Sequence, residues 1–74
     1  MTLSLTRTTY NDTKRYYELS LWKNLFGEYV VERIYGNCSY KTPTGMKKDV
    51  FDSYEKAIRF YNSIAARKNK KGYK

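Results

Sequence analysis

The sequence predicts an α+β domain: an antiparallel sheet of four or five strands with one C-terminal amphipathic helix packed on one face. Three observations predict it. Period-two alternation recurs in short runs between residues 3 and 51. Asparagine, glycine and proline punctuate those runs at hairpin spacing. A single apolar stripe at helical spacing then occupies residues 54–65, and no strand pattern follows it.

Each element has its own justification. Leu3 to Thr9 alternates weakly, with Leu3, Leu5 and Arg7 on one side, and Asn11-Asp12 reads as a turn. Lys14 to Lys23 alternates better: Tyr17, Leu19 and Leu21 share one face, and Tyr16, Glu18, Ser20 and Trp22 the other. Asn24 to Gly27 is a turn in which Gly27 suits a positive φ. Glu28 to Tyr35 is rich in β-branched and aromatic residues. Gly36-Asn37 signals another turn, and Cys38–Thr42 with Met46–Phe51 reads as a hairpin around Pro43-Thr44-Gly45. Asp52 is the expected N-cap, with Glu55 completing a capping box. Tyr54, Ala57, Ile58, Tyr61, Ile64 and Ala65 form the stripe that should cover the sheet, and Gly72 should end the helix or lie just past its end.

Length and charge limit what such a domain can do. Seventy-four residues make a single domain, 1–74, with 69–74 as a basic C-terminal tail. A chain of this size buries only about 60% of its unfolded surface, which argues against a deep catalytic pocket. The net charge of +8 is uneven. Residues 1–52 carry eight basic and six acidic side chains, whereas residues 53–74 carry seven and one. Charge gathered at one end is the electrostatic footprint of nucleic-acid binding. With no histidine and one cysteine, His-based triads and His- or Cys-based metal sites are excluded. The four glycines are isolated, so no phosphate-binding glycine loop is present. The reading is therefore a protein without catalytic residues, metal or cofactor. The lone Cys38, the lack of an apolar membrane-length run and the lack of a signal-like N-terminus point to a cytoplasmic protein with no membrane partner.

The order of these segments resembles the WGR domain, named for a Trp-Gly-Arg signature. Leu5-Thr6-Arg7, Arg15-Tyr16-Tyr17, Leu25-Phe26-Gly27, Phe51-Asp52-Ser53, Glu55, Ala57, Lys68 and Lys71-Gly72-Tyr73 carry the resemblance, which covers nearly the whole chain. Small stand-alone bacterial members look most similar, and the same domain occurs in DNA-dependent poly(ADP-ribose) polymerases, near a DNA end. At the signature, Tyr35 stands where the family has Trp, Gly36 is kept, and Asn37 stands where it has Arg. Cys38-Ser39 replaces a typical Ile-Gly, and the loop to Phe51 is a couple of residues longer than usual. The resemblance implies that the ring at 35 packs on a terminal sugar and that residue 37 supplies a polar contact. Asn37 can donate a hydrogen bond but brings no charge.

Residues and resemblance together give the expected site. Arg67, Lys68, Lys70 and Lys71 concentrate charge at the helix end; Arg33, Tyr35, Gly36 and Asn37 form the signature region; Tyr40, Lys41 and Tyr73 lie at turns or ends, where contact is open to them. Simpler readings compete. Cations at a helix C-terminus also answer the helix dipole, which accounts for Arg67 and Lys68 better than for Lys70, Lys71 and Lys74. Tyr17, Tyr29, Tyr54 and Tyr61 are expected in the core, and Trp22 reads as packing. Lys47 and Lys48 point to opposite faces, so one alone can join a common patch. The expected partner is nucleic acid, with DNA ends or duplex backbone first. A module recruiting an acidic protein partner is the alternative, favoured if a sheet face stays apolar and uncovered.

Overall fold

Four of the alternating runs become strands. The computed structural model describes residues 1–9 and 11–74. Strands β1 (Thr2–Thr8), β2 (Lys14–Lys23), β3 (Tyr29–Asn37) and β4 (Gly45–Phe51) precede helix α1 (Tyr54–Lys70). They form an antiparallel meander in the order β1-β2-β3-β4. The β2–β3 turn is built as its residues suggest. Gly27 takes φ 81°, and Asn24 Oδ1 accepts the N–H groups of Phe26 and Glu28, each at 2.9 Å.

Parity then decides the core. Leu3 and Leu5 of β1, Tyr17, Leu19 and Leu21 of β2 and Val31 of β3 lie on one face with Ala57, Tyr61 and Ile64 of α1. Leu19, Val31 and Ala57 are wholly buried, and the absence of a long side chain at Ala57 lets the helix approach the sheet there. The other face is only partly closed. Val30 is buried on it, but Trp22, Met46 and Val50 remain exposed. The Lys48 ammonium lies 6.0 Å from the Trp22 ring centre and pairs with Glu32 at 3.5 Å. Lys47 and Lys48 thus diverge as parity requires.

Four expectations are corrected. Cys38–Thr42 is not a strand: β3 runs on through Gly36-Asn37, which pair with Tyr16 and Arg15, and then meets β4 directly. The intervening residues turn instead, since Asn37 Oδ1 accepts the Ser39 N–H at 2.8 Å and its carbonyl accepts the Tyr40 N–H at 3.0 Å. The N-cap is Ser53, not Asp52. Ser53 has the extended backbone of a cap, and its Oγ accepts the Lys56 N–H at 3.3 Å. The Asp52 carboxylate instead pairs with the Lys56 ammonium at 3.1 Å.

The third correction concerns the stripe. Tyr54 is 49% exposed, resting edge-on against Tyr29, while Phe60 packs on Phe51 at 5.3 Å. The fourth concerns residues 69–74, which are no free tail. The helix continues to Lys70, and Gly72 turns the chain back at φ 96°. The N–H of Tyr73 bonds to the Lys68 carbonyl at 3.1 Å, and Lys74 exchanges two backbone hydrogen bonds with Thr6 of β1, at 2.9 and 3.0 Å. Tyr73, expected as a surface contact, is thereby buried in the core at 8% exposure. Among the described residues, no helix is long and apolar enough to cross a membrane.

Candidate nucleic-acid interface

Cross-strand register assembles the site at the end of the sheet beside the helix C-terminus. Tyr17 faces Tyr35, Tyr35 faces Gly45, and Arg33 faces Lys47. All these positions share the helix-facing side with Arg15. The last turns of α1 bring Ile64, Arg67, Lys68 and Lys71 across from them, leaving a cleft of about 290 Å³. Six cations line it (Arg15, Arg33, Lys47, Arg67, Lys68 and Lys71), with Tyr17, Tyr35 and Tyr73 between them and, among the described residues, no carboxylate on its walls.

The tyrosines form a platform. The Tyr35 ring stacks on Tyr17 at 5.7 Å with only 9° between planes, and Tyr73 meets Tyr17 edge-on at 5.9 Å. Gly45 makes this possible, because a Cβ there would stand 2.5 Å from the Tyr35 ring. Gly36 serves the opposite face: a Cβ would lie 2.8 Å from the Thr44 backbone nitrogen, so the glycine lets the β3–β4 loop close on β3. Lys68 Nζ sits 4.6 Å from the Tyr17 ring centre and 5.8 Å from that of Tyr73. Arg7 pins the returning chain from behind. Its guanidinium lies 5.2 Å from the Tyr73 ring centre and donates to the Lys71 carbonyl at 3.0 Å.

Charge in the cleft is crowded and under-compensated. Arg33 donates to Asp49 at 3.0 Å, yet its buried Nε finds no acceptor among the described residues. Partial burial, followed by the charges of Lys71, Arg67, Arg33 and Arg7, holds the Lys68 ammonium below the ordinary lysine pKa. Burial raises the Tyr17 phenol above its usual value, against the pull of Arg33. An anion entering the cleft would relieve the first of these penalties directly, since it favours the charged form of Lys68.

The structure brings together Arg33, Tyr35, Arg67, Lys68, Lys71 and Tyr73 from the expected set. It leaves out the others. Gly36 is buried, and Asn37 holds the following turn. Tyr40 and Lys41 are exposed on the β3–β4 loop, and Lys70 is exposed on the helix away from the cleft. Arg15, Tyr17 and Lys47 are additions to the expected set. Their signal was parity: each falls on the same strand face as Leu19, Arg33 or Asp49, but only the register places them side by side.

Searches of curated proteins and of solved structures found no significant match. The family model of the WGR domain matches residues 1–74, and the chain therefore belongs to the WGR domain family.

Proposed function

We propose that this domain is a non-enzymatic DNA-binding module that grips the phosphate backbone of a duplex, at or near an end, in the cleft between α1 and the sheet. WGR domains are in general modules of the nucleic-acid-binding type. The observation that carries the reading is the cleft itself: six cations around three tyrosines, with no carboxylate on its walls among the described residues. Phosphates would be held by the guanidinium and ammonium groups, which fixes position without reading sequence. The outer edge of the Tyr35 ring would meet the sugar or base of the terminal nucleotide. Lys70 and Lys74, exposed outside the cleft, would add long-range attraction. The exposed Cys38 needs no partner in this scheme and fits a reducing, cytoplasmic setting.

The test is a titration at fixed salt against four probes: a 5′-phosphorylated blunt duplex, a dumbbell of the same sequence without ends, a single strand and an RNA duplex. Tighter binding to the open duplex than to the dumbbell supports the end reading. Equal binding to both leaves backbone recognition, and binding to none of the four overturns the proposal.

A further inference from the structure

The end of the molecule away from the cleft carries a second pair of complementary features. The β2–β3 turn exposes Leu25 completely and Phe26 at 87%. This tip is not a slack loop. Asn24 Oδ1 holds the N–H groups of Phe26 and Glu28, Asn24 Nδ2 donates to Glu28 Oε1 at 3.2 Å, and the Asn24 N–H bonds to the Glu28 carbonyl at 2.8 Å. Two large apolar side chains are thus presented on a braced turn and followed by an acidic one. At the same end of the sheet, where Tyr29 pairs with Phe51, a groove runs between β4 and α1. It is about 380 Å³, floored by Phe51 and Phe60 and rimmed by Lys56, Arg59 and Ser63.

We propose that the chain self-associates by seating its Leu25-Phe26 tip in the Phe51–Phe60 groove of a second copy. The fit is chemical on both counts. An aromatic ring enters an aromatic-floored groove, and Glu28 beyond it meets Arg59 on the rim, where Lys56 is already paired with Asp52. Knob and groove lie at one pole, so two such contacts can close around a two-fold axis rather than propagate. Most of the excess charge lies at the other pole, roughly 20 Å away along β3 at about 3.3 Å per residue, so the copies approach where repulsion is least. The two basic clefts then face outward, and a dimer could hold two nucleic-acid segments at once. A contact confined to one turn and one groove is expected to be weak, so association is sought at high concentration.

Sedimentation equilibrium of the full chain over a concentration series tests this. The expected result is a concentration-dependent monomer–dimer equilibrium. Phe26→Ser and Ser63→Arg should each weaken association at least tenfold without changing the melting temperature by more than a few degrees, since both side chains are exposed. A Ser4→Ala control, exposed on β1 at the opposite edge of the sheet from β4, should dimerise like the parent. A monomer at every concentration up to about 1 mM overturns the proposal. So does a dimer that survives Phe26→Ser. Binding of a monomer to anionic phosphatidylglycerol vesicles, lost on Phe26→Ser, would assign the tip to a lipid surface instead and equally overturn it.

Discussion

Replacing Gly45 with Ala should separate binding from folding. A Cβ at this position would lie 2.5 Å from two ring atoms of Tyr35 and 2.6 Å from its hydroxyl. Contacts that short are not tolerated, so something must move. The ring is only partly buried, whereas the β4 backbone is paired to β3, so the ring yields. Tyr35 then leaves its stack on Tyr17. Loss of one aromatic pair costs roughly 0.5–1.5 kcal/mol. The backbone of Gly45 is not in the left-handed region, so alanine returns about 0.5–1 kcal/mol by restricting the unfolded chain. The two nearly cancel, and the urea midpoint should move little. Binding should suffer more, because a displaced ring no longer holds its outer edge toward the terminal nucleotide. Loss of one aromatic contact to a nucleotide corresponds to roughly 1–3 kcal/mol, or about 5- to 150-fold in affinity. Fluorescence anisotropy with a labelled duplex, beside urea melts, measures both. Gly27→Ala is the control: its φ of 81° makes alanine strained, so stability should fall while DNA affinity holds. If Gly45→Ala and Tyr35→Ala both bind like the parent, the tyrosine platform is not part of the interface.

Three further outcomes follow from particular contacts. Ile64→Ala, at a buried site, should cost roughly 2–5 kcal/mol, whereas Lys56→Ala, which loses an exposed pair with Asp52, should cost no more than about 0.5 kcal/mol in the same urea assay. Ser53→Ala should cost about 1 kcal/mol through the lost cap and Asp52→Ala clearly less; the reverse order would restore Asp52 as the cap. Lys68 is already held below the ordinary lysine value of 10.5, and a bound phosphate would raise it again. Binding therefore takes up a proton once pH exceeds the depressed value of the free domain. DNA affinity should decline as pH rises toward 10.5, and Lys68→Arg should flatten that decline because arginine does not titrate there. Parallel pH profiles for the two proteins would remove Lys68 from the site.

Much of the fold was legible because alternation and turn chemistry are local. The Tyr17-Leu19-Leu21 face and the Gly27 turn needed nothing beyond their own residues. What was misread depended on distant partners. Cys38–Thr42 has the composition of a strand, but Gly36 and Asn37 find partners in β2, so β3 extends and the next residues must turn. Residues 69–74 read as a basic tail from their charge. The Tyr73 ring and the positive φ of Gly72 outweigh that charge by hooking the chain onto Thr6. The cleft was half legible for the same reason. Helix-end cations are contiguous in sequence, whereas Arg15, Tyr17 and Lys47 come from two strands whose register is fixed only by the turns between them.

The salt dependence of DNA binding tests the central claim most directly. If about five phosphates are neutralised, log K should fall with log salt at a slope of roughly −4.5. The measurement pairs the parent domain with a triple variant, Arg15→Gln, Lys47→Gln and Arg67→Gln, which removes three cleft cations while leaving Lys70 and Lys74 in place. A variant that folds like the parent but shows a slope near −2, with weaker binding to every duplex sequence alike, is the predicted result. An unchanged slope in a folded variant would place the nucleic acid elsewhere on the domain and contradict the account.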